Sequence, residues 1–63
     1  MDFIDVLKKE DIRLVYNNRW LVFDNFSQRW VVYERKYYSK KTTKLAETCD
    51  HEVAIYVLIE EEE

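Results

Sequence analysis

The chain has 63 residues, with 10 Lys and Arg against 13 Asp and Glu for a formal net charge of −3, and it is 48% hydrophobic and 37% charged. This is the composition of one globular domain, and a chain so short buries only about 60% of its unfolded surface, so its stability as a monomer is slim. A single Cys excludes an internal disulfide framework and a four-thiolate zinc site, the lack of Gly excludes a P-loop, a dinucleotide fingerprint and a GxSxG elbow, and no apolar run approaches the roughly 18 residues of a membrane helix.

Residues 2–9 place Phe3, Val6 and Leu7 on one helical face. Asp2 can cap the start, Asp5 suits the first turn, and Lys8 and Lys9 suit the last. A helix of about two turns cannot stand alone and must lean on another element. Residues 12–16, Ile-Arg-Leu-Val-Tyr, are strand formers, and Asn17-Asn18 can close a tight hairpin because Asn tolerates positive φ. Residues 19–24 form the return strand, residues 25–28 a second turn, and residues 29–37 a third strand. Ser39-Lys40-Lys41 is expected to turn, with a fourth strand over 42–47.

Val53–Ile59 is an unbroken apolar run, and its period does not separate strand from helix. The flanks favour a helix over 49–61, with Thr48 or Asp50 as N-cap and Asp50 and Glu52 near the positive end. A small sheet also needs a cover for its apolar face. Four glutamates, Glu60–Glu63, at the helix C-terminus oppose its dipole, and that end is expected to fray. The predicted fold is α+β: a three- to four-stranded antiparallel meander, with a short N-terminal helix and a C-terminal helix packed on one face. Residues 1–63 form a single small domain.

A two-residue first loop and a four-residue second loop place Ile12, Leu14, Leu21, Phe23, Trp30 and Val32 on one face, the expected core. The other face holds Arg13, Val15, Trp20, Val22, Val31, Tyr33 and Arg35. A one-residue slip in the second loop would exchange Trp30 and Tyr33. Two short helices cover one face well, so the second face stays open, takes the N-terminal helix or is buried by another subunit. The C-terminal helix, apolar nearly all round, is expected to be buried on more than one side. Both features point to a homodimer.

Charge is segregated along the chain. Residues 29–44 carry Arg29, Arg35, Lys36, Lys40, Lys41 and Lys44 against Glu34, a net of +5. Residues 45–63 carry Glu47, Asp50, Glu52 and Glu60–Glu63 against no Lys or Arg, a net of −7. Such asymmetry steers a partner or docks one part of the chain on another.

Cys49-Asp50-His51-Glu52 suggests metal or thiol chemistry, but residues i and i+2 of a helix diverge and do not share a metal easily. Asp50 reads as a cap and His51 as a first-turn surface residue. No spacing assembles a catalytic group, and the chain is expected to be non-enzymatic, without cofactor or metal. The candidate interaction face is Arg13, Trp20, Tyr33, Arg35, Tyr37 and Tyr38, since aromatics and Arg anchor interfaces. Arg29, Lys36, Lys40, Lys41 and Lys44 are candidate phosphate contacts, because a basic aromatic hairpin over 29–44 suits nucleic acid. The favoured reading is a protein-interaction or regulatory module, binding itself and an unidentified protein. Nucleic-acid binding is the alternative, and a purely structural role the third. The N-terminus has no basic region like that of a signal peptide, so an intracellular, cytoplasmic location without membrane association is expected.

Overall fold

Asp2 accepts a hydrogen bond from the Ile4 amide (3.3 Å) and starts helix α1, Phe3–Lys9, in a computed structural model that describes residues 2–10 and 12–60. Four antiparallel strands follow in sequential order: β1 (Leu14–Tyr16), β2 (Arg19–Asp24), β3 (Arg29–Glu34) and β4 (Thr43–Thr48). Helix α2, His51–Ile59, closes the chain. The architecture is the expected α+β meander with a helix at each end.

Without glycine, the turns place other residues in the left-handed region. Asn17 takes φ 54° between β1 and β2, and Gln28 takes φ 60° at the end of the second turn. Asp24 fixes that turn by accepting from the Phe26 amide (3.0 Å) and the Ser27 hydroxyl (3.1 Å), while the Gln28 amide donates to the Asp24 carbonyl (2.7 Å). The register follows: Leu14 opposite Leu21, Phe23 opposite Trp30 and Leu21 opposite Val32. Trp30 and Tyr33 stand on the expected faces.

Leu7, Leu21, Phe23, Trp30, Val32, Ala54 and Leu58 form the core, with both helices on the same side of the sheet. Trp30 is 2% exposed and meets Phe23 edge-on with centroids 4.8 Å apart. Burying such side chains contributes about 1.5–3 kcal/mol each, the main favourable term here.

Several expectations are corrected. Ile12 is 45% exposed and lies outside β1. Phe23, expected to share that face with it, is covered by α1, with Lys8 Nζ 5.2 Å from its ring centroid. Strand β3 ends at Glu34, not at residue 37, because β4 starts opposite it at Thr43 and leaves residues 35–42 without a strand partner. The third connection turns first at Tyr37-Tyr38, where the Ser39 amide donates to the Lys36 carbonyl (2.9 Å), and bends again at the expected Ser39-Lys40-Lys41, where the Lys41 amide donates to the Ser39 hydroxyl (3.1 Å). Helix α2 is buried on one side only. Ala54 and Leu58 point into the core, while Val53, Tyr56 and Ile59 stay about half exposed or more. The expected helix over 49–61 is realised over 51–59, and Glu61–Glu63, expected to fray, lie outside the described residues.

Asp50 is the N-cap of α2, accepting from the Glu52 amide (2.9 Å). The opposing dipole at the other end is met by Arg19. Its guanidinium donates to the Val57 and Glu60 carbonyls, both at 2.7 Å, and to the Glu34 carboxylate at 3.1 Å. Arg19 is only 8% exposed, so sheet and helix are joined by a nearly buried cation placed where helix carbonyls need donors.

Candidate interaction surface

Strict alternation sends every second residue of β2 and β3 away from the helices. Successive rows run across the open face. Val15, Trp20, Tyr33 and Lys44 form one, and Val22, Val31 and Glu47 form the next, with Arg13 extending it beyond β1. Asp24 and Arg29 lie opposite one another in a third.

At the centre, Trp20 and Tyr33 stack with centroids 5.8 Å apart and planes 28° from parallel. The Arg13 guanidinium carbon sits 5.9 Å from the Trp20 ring centroid, a cation–π contact that keeps the cation at the β1 edge of the face. Val15 is 61% exposed, and Trp20, Val22 and Tyr33 are partly exposed. Val31 is buried without belonging to the core cluster.

The far edge is shaped by a β-bulge. The register shifts between Val32 and Tyr33, leaving Leu45 extra in β4. Lys44 and Glu47, three residues apart and so on opposite faces of a regular strand, reach the same side and join at 2.7 Å. The Lys44 hydrogen bond and charge hold the Glu47 carboxyl below its ordinary pKa, and the same contact holds the Lys44 amine above its own. Among the described residues Glu47 Oε2 has only Arg29, at 3.9 Å, so it retains capacity to accept.

The candidate residues thus divide. Arg13, Trp20 and Tyr33 meet on the sheet. Arg35 is exposed, its Nε donating to the Ser39 carbonyl (3.4 Å). Tyr37 and Tyr38 stand apart in the 35–42 loop, edge to face at 5.6 Å and 91% and 73% exposed. Among the phosphate candidates, Arg29 and Lys44 are drawn to Glu47, whereas Lys36, Lys40 and Lys41 are exposed and make no ion pair among the described residues. Sequence reasoning missed Glu47, because only the bulge turns it onto this face. It also missed Arg19, although parity with Leu21 and Phe23 already put that cation on the core face.

His51 meets β3 as an aromatic, 6.4 Å from Trp30, and Cys49 is an exposed free thiol. Among the described residues, no three His, Cys, Asp or Glu side chains group as a metal site, and no helix is long and apolar enough to cross a membrane. Two open clefts of about 310 Å³ each flank Glu34. The cleft at Asn17, Asn18 and Glu60 is floored by Arg19, whose donors are committed to α2 and Glu34. Comparison with protein-family models, curated proteins and solved structures finds no match to this chain.

Proposed function

We propose that the chain is a small, non-enzymatic protein-interaction module, regulatory in role, whose open sheet face docks a protein partner. One observation carries this reading: both helices lie on one side of the sheet, leaving the stacked, partly exposed Trp20–Tyr33 pair with no helix over it on the other. A centre of aromatic and β-branched side chains with a charged rim is the usual anatomy of a docking surface. The exposed, unpaired Cys49 suits a reducing, intracellular compartment. A photo-crosslinking amino acid at Val15, on the open face, is expected to give discrete protein adducts in cells. The same group at Phe26, 99% exposed in the second turn, is expected to give none. Equal, diffuse labelling from both positions would contradict the reading.

A second reading rests on Lys36, Lys40 and Lys41, which flank two exposed tyrosines: contact with single-stranded nucleic acid by stacking and phosphate pairing. Binding of this kind weakens steeply with salt. Failure of the protein to bind single-stranded oligonucleotides at low salt would remove it.

A further inference from the structure

We infer that the open face is occupied by a second copy of the same chain, in a two-fold dimer whose axis runs along the strands between β2 and β3. This rests on the docking reading above and adds the identity and geometry of the occupant. A two-fold axis parallel to the strands lays β1 of one copy over β4 of the other and β2 over β3. Each row of the face then meets the same row of its copy with the order of strands reversed.

The rows are self-complementary under that operation. Trp20 lies over Tyr33 of the second copy and Tyr33 over its Trp20, so the stacked pair straddles the axis as a cluster of four rings. Val22 meets Val31. At the rim, Arg13 on the β1 side meets Glu47 on the β4 side, twice by symmetry. Within one chain these two residues stand on opposite edges of the sheet, with no contact between them among the described residues. Glu47 Oε2 is the acceptor left open by Lys44, and Arg13 has only the Trp20 ring as a described partner. In the third row Asp24 lies over Arg29. The other two-fold, across the strands, lays each strand over its own copy, so the Arg13 and Glu47 edges are kept apart.

The size fits a weak, specific dimer. Strands about 4.8 Å apart, and rows about 7 Å apart, give a face of roughly 400 Å² in projection for each copy. Two such faces cover roughly 800 Å² together, the range of weak and transient contacts, so the dimer should dissociate on dilution.

Charge reversal at the rim tests this on the purified full chain. Arg13→Glu sets two carboxylates against each other at each rim contact of the dimer, and Glu47→Arg sets two guanidinium groups there. Sedimentation velocity should show concentration-dependent dimers for the wild type and monomers for each variant alone at the same concentration. An equimolar mixture of the two variants should recover the dimer, because one rim contact then joins the two substituted side chains, the other the two native ones, and both are of opposite sign. Any folding effect of either substitution persists in the mixture, so recovery reports the contact between copies alone. A mixture that stays monomeric, or a wild type that stays monomeric at several hundred micromolar, overturns the dimer. If Val15 crosslinks a different protein in cells while the purified chain is monomeric, the docking face stands and its self-pairing falls.

Discussion

Trp30 and Trp20 occupy neighbouring strands and opposite faces of the sheet. Trp30 faces two helices, with Phe23, His51 and the Lys8 ammonium around it. Trp20, partly exposed, faces Tyr33 and the Arg13 guanidinium, with Val15 beside it across β1. Both faces carry large apolar side chains, so hydrophobicity alone does not decide which is core. The helices decide it, and they choose the side where Arg19 can meet the last turn of α2. A nearly buried cation on one face and stacked aromatics at the centre of the other is the inverse of a simple inside–outside pattern. One face is specified by capping and packing, and the other carries no helix.

Equal truncations on the two faces break the comparison most sharply. Trp30→Ala removes a ring from a closed core and should cost about 3–5 kcal/mol, enough to unfold a chain of this size. Trp20→Ala should cost about 1 kcal/mol or less of monomer stability, the scale of a cross-strand pair, while abolishing self-association. Thermal unfolding and sedimentation of both variants read the two effects. A Trp30→Ala protein that melts near the wild type would show that the helix-covered face is not the core.

Arg19 is next in expected effect. Arg19→Met keeps the aliphatic stem but leaves two helix carbonyls and Glu34 without their donor, and should destabilise by about 2–4 kcal/mol, with discounting because the pair is not fully buried. Chemical denaturation measures this. A change below about 0.5 kcal/mol, typical of a surface site, would mean that α2 needs no cation at its end.

Changing Lys36, Lys40 and Lys41 together to Gln should move stability by less than about 0.5 kcal/mol per site, since these side chains are exposed and unpaired among the described residues. Self-association should also persist, because the loop lies beyond the rows of the open face. Unfolding of the triple variant would show that the lysine stems pack.

The smallest effect concerns pH. The folded pKa of Glu47 is depressed, so its contribution is present above the ordinary carboxylate range and is lost as pH falls through the folded value. Lys44 is raised, so its contribution is present below the ordinary lysine value and is lost as pH rises through the folded one. The pair therefore acts in the wide window between the two. Carboxyl-carbon NMR should find Glu47 titrating below an ordinary glutamate and moving back toward it in Lys44→Met, with Arg29 still beside it. No difference between the two proteins would dissolve the pair.

Most of the fold was legible because short-range signals agree. Asp2 and Asp50 mark the helix starts, Asn17-Asn18 a tight turn, and period-two alternation from Trp20 to Val32 sets both faces. The register of the second loop followed from its length. The rest depends on tertiary facts that no local pattern carries. The Leu45 bulge decides that Glu47 joins the open face, and the lack of a partner strand ends β3 at Glu34. The side chosen by α1 decides that Phe23 is covered by a helix and not by Ile12. The aromatic members of the site, Trp20 and Tyr33, were visible from parity alone, while Tyr37 and Tyr38, assigned with them, belong to a separate loop.

The difference between the faces is tested most directly inside one molecule, by fluorine NMR of the wild-type chain with both tryptophans replaced biosynthetically by 5-fluorotryptophan. The Trp20 resonance, assigned by its loss in Trp20→Tyr, should show a solvent-isotope shift in dilute protein and should move with rising concentration as its face is covered. The Trp30 resonance should show neither change. Two resonances that respond alike, or a Trp20 signal indifferent to concentration up to several hundred micromolar, would contradict a sheet with one face closed by its helices and the other closed by a second copy.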